Sequence, residues 1–338
     1  MATTLKTKKI VALLRYLPDP WLKELYKDSR VIIRCNNNKE PIDEEKTKKL
    51  VKGATVVVSV LDPVTRNVME EAGEMLGLIA NFSAGFDHID IKEANERGIA
   101  VTNTPEVSST AVAEFTISLI LSVAKRIAEA DQFARDGRYK FWDPCLMVGL
   151  PLAGKTLGII GSGNIGSSVA RSCYHGLGMK ILYYDLKKND DLERSTHAYQ
   201  VSLNNLLKNA DVISVHCPLT LSTRHMLKAS HFKLMKKTAI FINTARGAIV
   251  REKDLVNALR KKIVFGAGID VYEFEPKISA QLKQFNNVII TPHCASATEE
   301  TRAKMGEAVY ANIQAFLSGK IPPNLVNMEI KNKIGEGL

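Results

Sequence analysis

The sequence lacks an uncharged apolar run of the ~18–20 residues that a membrane-spanning helix needs. The longest candidate, residues 111–124, is too short and contains Glu114. The N-terminus has an apolar run of only five residues before Arg15 and Pro18 interrupt it, which argues against a signal peptide. These absences predict a soluble, cytoplasmic protein with no membrane partner.

Cysteine is scarce, with five residues scattered along the chain and no C-x-x-C motif. A chain of 338 residues can build a core without disulfides, so the thiols are expected to be reduced. The adjacent pairs His216–Cys217 and His293–Cys294 have poor spacing for chelating one metal ion. The sequence therefore predicts no metal site.

Positive charge exceeds negative charge, because 46 lysines and arginines against 36 aspartates and glutamates give a net charge of +10. The basic residues form short clusters near predicted helix ends, without the interleaved aromatic side chains that stack on nucleic-acid bases. We interpret them as a solvated surface that attracts a small anionic substrate, and we predict no nucleic-acid partner. Hydrophobic residues make up 45% of the chain, whose length corresponds to about two globular domains.

The first hundred residues alternate short β-branched runs with amphipathic stretches, which is typical of parallel strands joined by crossover helices. Strands are predicted at 9–14, 30–34, 54–60, 77–82 and 98–101, and helices at 20–27, 41–51 and 90–97. This rhythm predicts an α/β layer structure of the flavodoxin-like type.

A second unit begins near Pro105. Residues 110–130 have a mostly apolar face and are predicted to form one long helix. A second doubly wound parallel sheet, with more strands than the first, is predicted from apolar runs at 155–161, 179–185, 211–219, 238–245, 264–272 and 287–293. The chain is then helical through Leu317, and this last helix has no strand partner of its own. It is expected to return to the first domain.

A glycine-rich motif, Gly161-Ser-Gly163-Asn-Ile-Gly166, follows one predicted strand and opens a helix. In a dinucleotide-binding turn the first glycine allows the tight turn, the second lets the backbone approach a pyrophosphate and the third lets helix and strand pack closely. Asp185 lies 19 residues beyond Gly166 (185 − 166), where a carboxylate can accept hydrogen bonds from the adenosine ribose. Such a carboxylate repels a 2′-phosphate, so NAD is predicted, with NADH preferred over NADPH. Two lysines shortly after it, Lys187 and Lys188, could still receive the phosphate.

Three polar residues lie at or just after the carboxyl ends of predicted strands, namely Arg246, Glu275 and His293. Doubly wound sheets bind their ligands at this edge. Each residue alone has an ordinary structural interpretation, since a histidine after a strand is often a satisfied structural residue. Their shared position around the nicotinamide end of the dinucleotide site makes them candidate catalytic residues.

The sequence resembles the D-isomer-specific 2-hydroxyacid dehydrogenase family, and within it the glyoxylate/hydroxypyruvate reductases. Matching stretches occur in family order at 81–105, 152–166, 231–250, 266–276, 287–298 and 319–327. The resemblance implies a Rossmann NAD-binding domain, residues 105–294, inserted into a discontinuous flavodoxin-like substrate domain, residues 1–104 and 295–338. It also implies an NAD-dependent oxidoreductase acting on the CH–OH group of a small 2-hydroxy acid.

By position, the family's substrate arginine falls on Arg246, its acid on Glu275 and its histidine on His293. These residue types fit the chemistry. A guanidinium can grip the carboxylate of a 2-oxo acid with two charge-assisted hydrogen bonds and polarise the neighbouring carbonyl. When hydride moves between NADH C4 and substrate C2, an imidazole oriented by a carboxylate can act as general acid or base.

The resemblance also implies substrate contacts from the backbone of Ala84 and Gly85. Beyond the three glycines, it implies cofactor contacts from Asn164, Ile165, Asp185, Cys217, Pro218, Thr223, Thr244, Ala245 and Asp270. For Cys217 a packing role is equally open. Residues 141–148 resemble a region that joins the domains and contacts a partner subunit in glyoxylate reductases. Together with the predicted helix from Thr110, this implies a homodimer through the region 105–150. Trp142 in this region is either an interface anchor or part of the core.

Several alternatives stay open within and beyond this family. D-lactate and phosphite dehydrogenases keep the same three residues, and a 2-ketogluconate type is a further alternative within the family. Formate dehydrogenase is disfavoured because its pattern has glutamine in place of Glu275, and phosphoglycerate dehydrogenases because they usually extend past this length. A different class is a non-enzymatic NADH-sensing protein like the transcriptional corepressors built on this fold, which usually carry longer terminal tails.

Overall fold

The computed structural model describes residues 8–37 and 40–333. The chain divides into two compact units. One contains the described residues up to Ser108 together with those from Thr298 onward, and the other is Ser109–Ala297. Sequence analysis placed these boundaries between 104 and 105 and between 294 and 295.

The first unit is built on a five-stranded parallel sheet. Its strands are β1 (Lys9–Leu13), β2 (Val31–Cys35), β3 (Val56–Ser59), β4 (Leu78–Asn81) and β5 (Ala100–Thr102). Its helices are α1 (Lys23–Lys27), α2 (Glu44–Val51), α3 (Arg66–Ala72), α4 (Ile91–Arg97) and the last helix of the chain, α12 (Glu299–Leu317). The strand order β2-β1-β3-β4-β5 is that of flavodoxin-like sheets.

Helices cover both faces of this sheet because its central strands are apolar on both faces. Every residue of β3 and β4 is buried. On one face the core includes Met305, Val309 and Phe316 of α12. On the other face the core includes side chains of α2, α3 and α4. The last helix therefore packs on the first sheet.

The second unit is built on a seven-stranded parallel sheet. Its strands are β6 (Thr156–Ile160), β7 (Lys180–Tyr184), β8 (Tyr199–Gln200), β9 (Val212–Val215), β10 (Ile240–Asn243), β11 (Gly266–Ile269) and β12 (Val288–Ile290). Its helices are α5 (Ser109–Ala124), α6 (Ile127–Arg135), α7 (Asn164–Leu177), α8 (Asp190–Thr196), α9 (Leu203–Asn209), α10 (Ala229–Phe232) and α11 (Glu252–Arg260). Short 3₁₀ segments lie at Asp19–Trp21, Gly247–Ile249, Leu282–Gln284 and Met328–Lys333.

The order of these strands, β12-β11-β10-β9-β6-β7-β8, is that of a Rossmann sheet with one additional strand. The direction of winding reverses between β8 and β9. The carboxyl ends of β6 and β9 therefore flank the topological switch point, where sheets of this kind bind nucleotides. The predicted fold class, two doubly wound α/β sheets with the second one larger, is confirmed.

The prediction of one long helix over 110–130 is wrong, because α5 ends at Ala124 and α6 begins at Ile127. Arg126, between them, has φ +56°, in the left-handed region that interrupts an α-helix. The carbonyl of Ala124 accepts the N–H of Leu150 at 2.8 Å. Arg126 itself is paired with Glu129 at 2.7 Å. These two contacts stabilise the break between α5 and α6, and no glycine or proline marks this break in the sequence.

Two short elements, α3 and β8, were not predicted from the sequence. Strand β8 has only two residues, which carry little periodicity. The predicted helix over 20–27 is interrupted at Leu22, whose φ is −122°, so that a 3₁₀ turn precedes α1. Within 8–37 and 40–333, no helix has the length and apolar character to cross a membrane. Over the same ranges, no group of three or more His, Cys, Asp or Glu side chains could hold a metal ion.

Candidate active site

Three neighbouring strands of the second sheet end near the candidate catalytic residues. Strands β10, β11 and β12 are adjacent and parallel, so their carboxyl ends share one edge of the sheet. Arg246 follows β10, Glu275 follows β11 and His293 follows β12. The strand order thus brings together residues that span 47 positions of sequence (293 − 246).

Glu275 and His293 are joined by a hydrogen bond. Nδ1 of His293 lies 2.8 Å from Oε2 of Glu275, and Oε1 of the same carboxylate accepts the backbone N–H of Tyr272 at 2.8 Å. Because an ionised carboxylate can only accept, Nδ1 carries the hydrogen of this bond. Nε2 is therefore the nitrogen that can donate or take up a proton.

The pKa of Glu275 is lower than that of an ordinary glutamate. Partial burial acts to raise this pKa, but the hydrogen bond and charge of His293, the N–H of Tyr272 and the charge of Arg246 together outweigh it. Glu275 is therefore ionised at neutral pH and presents its negative charge to the imidazole. The positive charge of Arg246 thus favours the ionised form of Glu275.

Asp270, the residue directly after β11, holds the segment that carries His293. Asp270 is fully buried, and its carboxylate accepts hydrogen bonds from the Thr291 hydroxyl (2.6 Å) and from the N–H groups of Cys294 and Ala295 (both 2.9 Å). His293 has φ +54°, a left-handed conformation that is costly for a residue other than glycine. Its N–H donates to the Asp270 carbonyl at 2.9 Å. These bonds stabilise the unfavourable backbone conformation of the histidine.

Sequence reasoning missed this structural task of Asp270, whose contact with a cofactor stays a prediction. It also missed Tyr272, which orients Glu275 through its N–H and donates its hydroxyl hydrogen to the Thr291 carbonyl at 2.8 Å. Both residues lie in the strand-end stretch that precedes Glu275. Their position at the carboxyl end of β11 was the available signal.

Arg246 lies in a tight turn after β10. Its carbonyl accepts a side-chain N–H of Asn243 at 3.0 Å, and its Nη1 donates to the carbonyl of Ala245 at 2.8 Å. The next residue, Gly247, packs directly on the backbone of Tyr272, with no space for a Cβ atom. This close approach joins the Arg246 turn to the segment that carries Glu275.

The glycine-rich motif forms the turn between β6 and α7. Gly161 has φ +94°, and a Cβ there would lie 2.5 Å from the backbone nitrogen of Cys217. A Cβ on Gly166 would collide with the carbonyl oxygen of Gly161. Gly163 differs, because no described protein atom lies within 4 Å of its Cβ position and its φ of −69° suits any residue. The protein itself thus requires glycine at 161 and 166, whereas the space over Gly163 is available to a ligand.

The start of α7 adds to the same turn. Gly163 is the N-cap residue of α7 and has no side chain that could cap the helix. The first N–H groups of the helix belong to Asn164, Ile165 and Gly166. Helix N-termini of this kind attract phosphate groups. The turn therefore fits the pyrophosphate of a dinucleotide.

Asp185 follows β7 directly and is attached to the glycine-rich turn. Its Oδ2 accepts hydrogen bonds from the N–H and the hydroxyl of Ser162, at 2.7 and 2.9 Å, and its Oδ1 accepts the N–H of Leu186 at 2.7 Å. Ser162 was not singled out in the sequence. Of the two nearby lysines, Lys188 forms salt bridges with two carboxylates, and Lys187 is exposed.

Cys217, Pro218 and Thr223 lie in the segment after β9, on the other side of the switch point. The Thr223 hydroxyl donates to the Pro218 carbonyl at 2.7 Å and closes this loop. Burial raises the pKa of the Cys217 thiol to about 12, so the thiol is uncharged at neutral pH. The backbone of Cys217 packs against Gly161.

Thr244 and Ala245 follow β10 at the same edge. The Thr244 and Thr116 hydroxyl oxygens lie 2.9 Å apart, and the Thr116 hydroxyl donates to the Val112 carbonyl at 2.7 Å. Since a hydroxyl has one hydrogen, Thr244 must donate to Thr116. Its oxygen can then only accept from a ligand. The N–H of Ala245 donates to the side chain of Asn243 at 3.1 Å.

Ala84 and Gly85 belong to the first unit, in the loop after β4. Their carbonyl groups accept side-chain N–H groups of Asn103 and Asn81 respectively, each at 2.8 Å. Within the described part of the chain, the backbone N–H groups of Ala84 and Gly85 donate to no protein acceptor. This loop thus offers two donors to a ligand.

A cavity of about 620 Å³ in the second unit lies away from these residues. Lys237, Val264 and Asn287 line it and precede β10, β11 and β12, so it lies at the amino-terminal edge of the sheet. Because doubly wound sheets bind their ligands at the carboxyl edge, this cavity is not the candidate active site.

Residues 117–295 match a protein-family model described as "D-isomer specific 2-hydroxyacid dehydrogenase, NAD binding domain". A glyoxylate reductase from Thermococcus litoralis is 41% identical over 327 residues, covering 96% of this chain and 98% of that protein.

Solved structures of related proteins are also similar. A D-lactate dehydrogenase from Aquifex aeolicus, complexed with NAD and lactic acid, has a TM-score of 0.83 and 32% identity, covering 94% of this chain and 99% of that one. An NADPH-dependent glyoxylate/hydroxypyruvate reductase from Sinorhizobium meliloti, in complex with NADP and malonate, has a TM-score of 0.84 and 27% identity, covering 96% and 98%.

Proposed function

Because the chain belongs to the D-isomer-specific 2-hydroxyacid dehydrogenase family, we propose that it reduces glyoxylate, hydroxypyruvate or a similar small 2-oxo acid with NADH. The family makes it an oxidoreductase that acts on a 2-hydroxy acid with a nicotinamide cofactor. The observation that carries the finer proposal is the hydrogen bond between His293 and Glu275 at the sheet edge that also holds Arg246.

Arg246 binds the substrate in this proposal. A 2-oxo acid has a planar carboxylate beside its carbonyl, and a guanidinium can donate two parallel hydrogen bonds to such a group. The same positive charge draws electron density from the carbonyl and makes C2 more electrophilic. Arg246 thus serves both binding and polarisation.

His293 handles the proton. The bound nicotinamide supplies the hydride that C2 receives. The carbonyl oxygen then becomes an alkoxide and needs one proton, which Nε2 of the His293 imidazolium donates. Glu275 holds the other nitrogen and stabilises the imidazolium before the transfer. In the oxidation direction, neutral Nε2 accepts the proton of the substrate hydroxyl.

The backbone N–H groups of Ala84 and Gly85 also bind the substrate carboxylate in this proposal. Two considerations support it. The carbonyl groups of both residues are occupied by Asn103 and Asn81, and their N–H groups donate to no acceptor within the described residues. Adjacent backbone N–H groups with no protein partner favour an anion.

The glycine-rich turn holds the dinucleotide. We assign the pyrophosphate to Gly161, Gly163 and Gly166 with Asn164 and Ile165 of α7, because the space over Gly163 is open and the helix lacks a side-chain cap. The remaining contacts are assigned to residues at the same sheet edge, namely Asp185, Cys217, Pro218, Thr223, Thr244, Ala245 and Asp270.

Asp185 is proposed to favour NADH over NADPH. Solved relatives include one with NAD and one with NADP, so relationship alone does not select the cofactor. Here a carboxylate follows β7, and Lys188 is engaged by Asp190 and Glu193 at 2.8 and 3.1 Å. The negative charge of Asp185 is unfavourable for a 2′-phosphate.

We also propose a homodimer through the region 105–150. Five large apolar side chains between 127 and 148 are each more than half exposed, namely Ile127, Tyr139, Phe141, Trp142 and Val148. Such a concentration of exposed apolar surface is typical of an interface. Light scattering of the purified chain tests this proposal, and a monomer at micromolar concentration would contradict it.

The experiment for the activity is a set of initial rates with NADH and with NADPH against glyoxylate, hydroxypyruvate, pyruvate, phenylpyruvate and 2-ketogluconate. We expect NADH to be the faster cofactor and glyoxylate or hydroxypyruvate the best substrate. Pyruvate as the best substrate would favour the D-lactate type. NADPH faster by tenfold would overturn the cofactor assignment, and no oxidation with any of these acids would overturn the proposed function.

A further inference from the structure

A second histidine–glutamate pair lies beside the first. Nε2 of His225 is 2.6 Å from Oε1 of Glu273, which is two residues before Glu275. The Glu273 side chain is only 8% exposed. A nearly buried carboxylate needs hydrogen-bond donors, and His225 is one of them.

Glu273 is also bonded reciprocally to the start of α11. Its Oε2 accepts the N–H of Glu252 at 2.9 Å, and the Glu252 carboxylate accepts the N–H of Glu273 at 3.2 Å. Glu252 is the first residue of α11, the helix that follows the turn of Arg246. Both oxygens of Glu273 therefore have a donor, and its segment is attached to the element that follows Arg246.

His225 contacts the Arg246 turn through its own backbone. Its N–H donates to the Ala248 carbonyl at 2.8 Å, two residues after Arg246, while its ring binds Glu273. His225 has φ +52°, in the left-handed region, as does His293 with φ +54°. A non-glycine residue persists in this conformation only where surrounding contacts compensate for its cost. His225 thus links the segments of the substrate-binding arginine and of the acid.

We propose that His225 and Glu273 are positioning residues that fix the Glu275 carboxylate relative to Arg246 and, through it, set the tautomer of His293. This inference rests on the proposed function for its catalytic consequence. The physical reason is the short stretch of backbone between the two glutamates. Glu273 and Glu275 are separated by one residue, so a shift of the first displaces the second. Misplacement of a catalytic group by ~1 Å can cost roughly a hundredfold in rate.

The test measures the tautomer of His293 directly. In ¹⁵N-labelled-histidine NMR at a pH where the ring is neutral, wild-type His293 should carry its hydrogen on Nδ1, because Glu275 accepts it there. His225→Ala removes the donor to Glu273, and Glu273→Gln replaces one acceptor oxygen by a nitrogen that faces the Glu252 N–H. In both variants we expect part of the Nδ1–H signal of His293 to be replaced by that of the Nε2–H form.

Kinetics provide the second readout. We expect kcat for reduction to fall about 10–100-fold in both variants, because a misplacement of ~1 Å can cost up to roughly a hundredfold in rate. The pH at which the rate is half its maximum should move to lower values, because the imidazolium is less well stabilised. His225→Gln places an amide nitrogen near the position of Nε2 and should restore kcat to within about threefold of wild type and restore the Nδ1–H form.

His231→Ala is the matched control. His231 is a half-buried histidine of the same unit whose ring accepts one hydrogen bond, from the Lys228 N–H. Its loss should lower thermal stability without changing the His293 tautomer or the pH profile. A wild-type tautomer in both His225→Ala and Glu273→Gln would overturn the inference, whatever happens to stability. Failure of the proposed function would appear separately, as absence of turnover in the wild type.

Discussion

Nδ1 of His293 lies 2.8 Å from Oε2 of Glu275, and the second oxygen of that carboxylate is held by the N–H of Tyr272. The acid therefore cannot rotate without losing a backbone hydrogen bond. It holds the imidazole in one orientation and directs Nε2 away from itself. A proton donor of fixed direction is what protonation of an alkoxide requires.

Glu275→Gln should lower the turnover number for reduction of the oxo acid about 100–10,000-fold, the range that general acid–base catalysis typically contributes, because a neutral amide neither stabilises the imidazolium nor enforces its orientation. The loss should grow toward alkaline pH, where the imidazolium is scarcest. Stopped-flow NADH oxidation from pH 5.5 to 9 measures both effects. Glu307→Gln, at an exposed position of α12, serves as control. Wild-type kcat for Glu275→Gln across this range would remove Glu275 from the mechanism.

The Glu275 carboxylate should also make the stability of the folded protein depend on pH in the acidic range. The pKa of Glu275 is lowered in the folded protein, so its contribution is fully present above the unfolded-state pKa of about 4.3 and is lost as pH falls through the lower folded-state value. The urea midpoint of wild type should therefore exceed that of Glu275→Gln near pH 5.5. The two midpoints should converge as the pH is lowered toward 3. A difference that persists unchanged at pH 3 would contradict this assignment of charge.

Much of the fold follows from sequence periodicity, because buried parallel strands read as short apolar runs and their crossover helices as amphipathic stretches. The positions of Arg246, Glu275 and His293 after three such runs could be predicted in the same way. Their adjacency required the order of β10, β11 and β12, which depends on the tertiary winding of the chain.

The contacts that hold the site could not be predicted, because they join residues far apart in sequence through single hydrogen bonds. Asp270 holds Cys294 and Ala295, and Thr244 is held by Thr116, 128 residues away. The break at Arg126 is of the same kind, since it depends on Leu150 and on no local turn residue. Long-range polar contacts leave no periodic pattern.

Arg246→Gln should raise KM for the 2-oxo acid and lower kcat together, since the guanidinium both binds and polarises. Removing one partner of a charge-paired contact costs about 3 kcal/mol, or roughly a hundredfold in kcat/KM. Arg246→Lys keeps the positive charge but loses the two parallel hydrogen bonds of a guanidinium, so its kcat/KM should lie between those of wild type and Arg246→Gln. Arg251→Gln, at an exposed position just before α11, is the control. A higher KM with unchanged kcat would limit Arg246 to binding.

Gly163→Ala separates what the protein requires from what the ligand requires. No described protein atom lies within 4 Å of a Cβ at this position, and the φ of −69° is favourable for alanine. Replacing glycine at such a site commonly stabilises a protein by about 0.4–1 kcal/mol, because the unfolded chain loses freedom. The melting temperature should therefore be equal to that of wild type or slightly higher.

Cofactor affinity should change in the opposite direction. If a pyrophosphate lies against the Gly163 backbone, the added methyl group overpacks the contact at a cost of about 1–3 kcal/mol, which weakens NADH binding roughly 5–150-fold. Calorimetry with NADH and a thermal melt measure the two effects on one preparation. Gly166→Ala is the matched control, because its Cβ would collide with the Gly161 carbonyl and should lower the melting temperature. Wild-type NADH affinity in Gly163→Ala would show that the dinucleotide does not bind over this glycine, since nothing else in the described structure occupies that space.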